Sequence, residues 1–137
     1  MNQTGDISIL DEEVSYWKDA QIERAKRIDT NWKKEDGNSQ KTKDGECYTG
    51  TILEHLLLEN LICSLNIGEH GNIKLEDGDW NDQLDMAPDK GETIPFTAFY
   101  GKNICDIADL LEIQIEKEDR KTISVFEEME VLLEGLK

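Results

Sequence analysis

Histidine and cysteine are scarce in this sequence. There are 2 histidines and 3 cysteines in 137 residues. The cysteines, Cys47, Cys63 and Cys105, are odd in number and far apart. No CxxC pair and no Cys/His spacing suits zinc, and two histidines do not make a histidine-rich centre, so no metal site is expected. Free thiols are the expectation for all three cysteines. Basic residues are also few: Lys and Arg total 15 against 31 Asp and Glu, a net charge of −16. A balance so negative argues against binding nucleic acid or an anionic membrane surface. It also argues against this segment alone capturing a phosphorylated ligand. No apolar run is long enough to span a bilayer. The first ten residues lack the basic start and apolar core of a secretory signal, so a cytoplasmic protein is expected.

What is present fits one small domain. Ile7, Ile9 and Leu10 precede an acidic run, Asp11-Glu12-Glu13, in a lead-in that reads as strand or turn. Residues 18–34 alternate in charge with a weak apolar stripe, which suggests a helix. Residues 35–46 hold two glycines and no hydrophobic residue, and read as a polar loop. Ile52, Leu53, Leu56, Leu57, Leu61, Ile62 and Leu65 then recur at helical spacing, with Thr49 or Thr51 able to cap the start and Gly68 to end the segment in a left-handed turn. Residues 94–111 are a second clear helix, with Pro95 in its first turn. A last helix is predicted from about 121 to 136, capped by Asp119 or Thr122. Strand signals are sparse. The predicted class is all-α, antiparallel helices joined by loops of unequal length: 1–46 as lead-in and polar loop, 47–137 as helices around a long acidic loop.

That loop is the informative stretch. Residues 76–85, EDGDWNDQLD, place five acids around one tryptophan. Solvated acidic runs seldom expose so large an aromatic. An indole can pack on the apolar face of a sugar ring, while carboxylates and amides pair with its hydroxyls. A carboxyl held protonated by neighbouring negative charge can protonate a glycosidic oxygen. On residue types alone, Trp80 as a core anchor beside a solvated turn outranks that reading. A calcium loop fits poorly. Asp77, Asp79 and Asn81 occupy alternate ligand places, but Asp82 replaces the turn glycine and Pro88 stands where a bidentate glutamate belongs.

Gly78-Asp79-Trp80-Asn81-Asp82 resembles the signature of the glycoside phosphorylases of glycoside hydrolase family 94. Further segments resemble that family in order and spacing, and the likeness covers roughly residues 7–136. They are ILDEEV at 9–14, ILEH at 52–55, GEHG at 68–71 and GET at 91–93. The wording GEHGNIKLEDGDWNDQLDMA is similar to the branch acting on β-1,2-linked glucans. The resemblance implies a middle section of an (α/α)6 barrel and reversible, inverting phosphorolysis of β-glucosides to α-glucose 1-phosphate. Asp82 would be the general acid and Trp80 would line the sugar subsite, with Asp79 and Asn81 as supporting substrate-binding residues. Inorganic phosphate would be the co-substrate, and no cofactor is implied. Glu92 would cap the 94–111 helix or orient the loop, and the resemblance does not make His55 catalytic.

The departures are large. The β-sandwich, the early barrel helices and the C-terminal part of the family are not in this sequence, and they supply the phosphate pocket. Lys74, Lys90 and Lys102 are isolated and form no substitute. Ser15 stands where a proline is common. Activity is therefore expected only when other segments of the same enzyme complete the site. A non-catalytic helical sugar-binding or interaction module, or a truncated remnant, is the alternative.

Overall fold

A computed structural model of the chain describes residues 5–17, 33–75, 87 and 89–134. The chain divides into two compact units, Met1–Ile52 and Leu53–Lys137.

The first unit is built on a short antiparallel pair. β1 (Glu13–Ser15) lies against β2 (Thr49–Thr51), with Glu13 opposite Thr51, Val14 opposite Gly50 and Ser15 opposite Thr49. The Thr49 hydroxyl donates to Glu13 Oε2 across the pair at 3.0 Å. Beyond it the segment predicted as a polar loop folds back on itself. Thr42 N–H donates to Glu46 O at 2.8 Å and Tyr48 N–H to Gln40 O at 2.9 Å, so residues 40–48 form a hairpin. Gln40 N–H donates in turn to Tyr16 O at 2.8 Å. The Tyr16 and Tyr48 rings approach to 5.6 Å. Leu10, at the end of a 3-10 turn (Ser8–Asp11), is fully buried.

In the second unit, α1 (Ile52–Ile62) continues as a 3-10 turn over Cys63–Leu65. Two-residue strands follow: β3 (Ile73–Lys74) pairs antiparallel with β4 (Glu92–Thr93). Residues 66–68 lie along the other side of β3, with Ile67 bridged to Ile73 and Lys74 N–H donating to Asn66 O at 2.9 Å. α2 (Ile94–Glu118) starts directly from β4. Thr93 is its N-cap, accepting from Phe96 N–H at 3.4 Å, and Pro95 sits in the first turn, where no helical N–H bond is lost. Along α2, Ile104, Ile107, Leu110, Leu111 and Gln114 repeat at helical spacing and turn inward, with Ile107 and Gln114 buried. α3 (Glu127–Glu134) buries Met129 completely.

The expectation of an all-α partial barrel is overturned. Among the described residues there are three α-helices and two two-stranded antiparallel sheets, a mixed α/β arrangement. β1 lies in the lead-in read as strand or turn; β2, β3 and β4 leave no signal in the sequence because they are only two or three residues long, too short for alternating polarity to register. Their pairing joins residues far apart in sequence. The last predicted helix also starts later than expected. Asp119 ends α2 in the left-handed conformation (φ 50°), and residues 119–126 are extended or irregular before α3 begins. The helix predicted over 18–34 lies almost wholly outside the described residues. No helix among the described residues is long and apolar enough to cross a membrane. The three cysteines form no disulfide.

Candidate functional site

The four sequence-predicted site residues, Asp79, Trp80, Asn81 and Asp82, fall in 76–86 and lie outside the described residues. The structure does describe the framework from which that segment departs and to which it returns. Leu75 N–H donates to Gly91 O at 2.9 Å, extending the β3–β4 ladder to the last described residue before the segment. Gly91 N–H donates to Ala87 O at 2.9 Å on the returning side. Ile73 N–H, in β3, donates to Thr97 Oγ1 at 2.9 Å, and Thr97 Oγ1 donates to Thr93 O at 2.7 Å. The first turn of α2 is thereby tied to the hairpin.

Glu92, in β4, is the centre of this framework. Its Oε1 accepts His70 N–H at 3.0 Å and lies 3.1 Å from His70 Nδ1. Its Oε2 accepts Asn72 N–H at 3.1 Å and Asn72 Nδ2 at 3.2 Å. Four donors converging on one carboxylate favour its charged form. The His70 backbone N–H is foremost in pulling its pKa down, to about 2; partial burial opposes, and the His70 ring and both Asn72 donors reinforce the fall. Glu92 therefore orients the 68–72 turn, one of its two expected roles. The other, capping α2, belongs to Thr93.

The turn is glycine-dependent at two points. A Cβ at Gly68 would fall within the Glu92 side chain, so only glycine leaves room for the carboxylate. Gly71 takes a left-handed φ of 80°, which closes the turn through its N–H to Gly68 O at 3.1 Å. Gly68 was expected to be the left-handed residue; that conformation occurs three positions later. Lys90 Nζ reaches Glu69 Oε1 at 3.1 Å across the hairpin, with both side chains mostly exposed, and such a pair adds little.

Glu54 and His55 behave differently from one another. Glu54 is 3% exposed and its Oε2 accepts Phe126 N–H at 2.8 Å, so it serves the start of α3. His55, one position later in α1, is half-buried. Sequence reasoning did not single out Asn72 or Thr97. Neither carries a local signal, because their partners lie 20 and 24 residues away. No protein-family model matches the chain, and no curated protein matches it.

Proposed function

We propose that this chain supplies the proton-donor segment of an inverting β-glucoside phosphorylase. The observation that carries the reading is Gly78-Asp79-Trp80-Asn81-Asp82, set among four further family-like segments in the same order. In the proposed reaction, a phosphate oxygen attacks the anomeric carbon of a terminal glucosyl unit. The glycosidic C–O bond breaks with inversion, and the Asp82 proton passes to the departing oxygen. An inverting hydrolase needs a second carboxylate to activate water. Phosphate is already a nucleophile, so one proton donor and an anion pocket suffice. Asp79 and Asp85 crowd negative charge beside Asp82 in sequence, which favours its protonated form. Trp80 would face the sugar, with Asp79 and Asn81 pairing to its hydroxyls.

The framework supports the reading in one respect. The acidic segment is carried on a hairpin whose two sides are hydrogen-bonded at Leu75 and Gly91 and tied to α2 through Thr97. Two fixed ends suit a loop that must present a carboxyl accurately. The phosphate pocket is assigned to other segments of the same enzyme, in keeping with the scarcity of cations here. The partners proposed are a β-glucan oligosaccharide and inorganic phosphate, in the cytoplasm.

The test is Asp82→Asn in the completed enzyme, with phosphate-dependent release of glucose 1-phosphate as the readout. Loss of a general acid lowers turnover by roughly 10² to 10⁴. Near-normal turnover overturns the assignment. Sugar binding that survives with no turnover in the completed wild-type enzyme favours the non-catalytic sugar-binding module instead.

A further inference from the structure

Gln114, near the end of α2, is 0% exposed, and neither end of its amide has a hydrogen-bond partner among the described residues. It stands in the wall of a cavity of about 180 Å³. Leu111, Gln114 and Ile115 of α2 form one side, and residues 120–123 of the connection to α3 form the other. Ile115 is 55% exposed, so the cavity opens at the surface there. A buried amide with nothing to bond is costly, and an apolar residue would suit this wall better. A ligand that brings a donor and an acceptor removes the cost. The far wall is built to yield: Lys121 to Val125 make no backbone–backbone hydrogen bond among the described residues. Segments held so lightly open at small expense, which gives an occupant a way to the amide.

Size, polarity and charge define the occupant. A cavity of about 150 Å³ lined by aliphatic side chains takes one benzene ring, so this one suits a single six-membered ring. Leu111, Ile115 and Ile123 call for an apolar body. At the mouth, Lys121 Nζ lies 3.8 Å from Asp119 Oδ1, which offsets its charge, and a charged group buried beside a neutral amide would lose its hydration. The ligand is therefore neutral. The Gln114 amide offers a donor at Nε2 and an acceptor at Oε1, side by side. We infer that the cavity between α2 and residues 120–123 is a binding site for a small cyclic amide. The lactam N–H donates to Gln114 Oε1, its carbonyl accepts from Nε2, and its methylene groups lie against Leu111, Ile115 and Ile123. The site uses none of residues 76–86 and is independent of the carbohydrate reading.

The probe is δ-valerolactam, titrated into the full 137-residue chain, with N-methyl-δ-valerolactam as the control that keeps the ring and loses the donor. Side-chain amide and methyl spectra report the contacts. The expected result is a saturable shift of the Gln114 side-chain amide together with the methyl groups of Leu111, Ile115 and Ile123. The N-methyl control should bind about three- to tenfold more weakly, the range for one lost hydrogen bond. Gln114→Leu keeps the volume of the wall and should weaken the lactam at least as much, while leaving the two ring compounds alike in affinity. The comparison of the two compounds on the wild-type chain needs no variant, so it decides the matter even if Gln114→Leu does not fold. Equal affinity for both overturns the inference, because the amide then plays no part. So does the absence of any shift at these residues up to about 100 mM lactam, where even very weak binding would register. A water held on the Gln114 amide that the lactam does not displace also overturns it.

Discussion

The carboxylate of Glu54, in the first turn of α1, accepts the backbone N–H of Phe126 at 2.8 Å, across 72 positions of sequence. Phe126 immediately precedes α3, so a side chain from one helix closes the open N-terminal end of another. Its negative charge also lies at the positive end of the α3 dipole. Glu54 is 3% exposed, and removing it takes this acceptor from the half-buried Phe126 N–H. Glu54→Ala should cost about 1–3 kcal/mol. Thermal unfolding would measure the loss, and hydrogen exchange should quicken first in residues 127–134. A variant as stable as the wild type, with α3 equally protected, would show that the contact contributes nothing.

Glu92 sets a second expectation, in acid. Its pKa of about 2 lies below the ordinary 4.5, so the charged form is favoured by folding. The stabilisation is fully present above pH 4.5 and is lost as pH falls from there towards 2. Glu92→Gln should be less stable than the wild type at neutral pH, and the gap should close across that acid window. Urea midpoints for both chains at several pH values measure it. A gap independent of pH would mean that Glu92 carries no depressed pKa.

Gln114 is fully buried in α2, and neither its Nε2 nor its Oε1 has a hydrogen-bond partner among the described residues. A cavity of about 180 Å³ beside it is walled partly by Leu111, Ile115 and Ile123. Leucine has a similar volume and no polar group to desolvate. Gln114→Leu should therefore stabilise the chain by about 1–3 kcal/mol, the cost of an unsatisfied buried polar group. A lowered denaturation midpoint would show that the amide is bonded in solution.

Trp80 separates the sugar reading from the core-anchor reading. Trp80→Phe keeps an apolar ring but reduces the stacking surface. If the indole serves a sugar, oligosaccharide affinity in the completed enzyme should fall and stability should hold. Unchanged affinity with lowered stability would place Trp80 in a core instead. Intrinsic fluorescence alone is ambiguous, because Trp17 and Trp32 also emit.

Helices with strong local patterns were legible. α1 begins at the first leucine-rich turn, and α2 begins where Pro95 places its first turn, though its cap is Thr93 rather than Glu92 and it runs to Glu118 rather than 111. The end of α2 and the start of α3 were not. Asp119 has the side chain of an N-cap, yet it takes a left-handed φ of 50° and closes the preceding helix. The cap of α3 comes from Glu54, which no window of local sequence could disclose. For the candidate site, the role of Glu92 as the residue that orients the turn was among the expectations. Its partners His70 and Asn72 were not, because the four hydrogen bonds depend on folding.

Apart from the charge of −16, a sum over the whole chain, the sequence by itself determined what is local: the apolar spacing of α1 and α2, Pro95 in the first turn of α2, and an acidic segment centred on Trp80. Each depends on residues within a few positions of one another, where periodicity and capping preferences act. Only the tertiary structure decided that the chain is mixed α/β, that β3 pairs with β4, that Glu92 closes over Gly68 and that Glu54 caps α3. Those depend on backbone groups that gain partners from distant residues. A strand of two or three residues has no stability alone and leaves no periodic trace. It exists because chain closure elsewhere brings its partner within hydrogen-bonding distance.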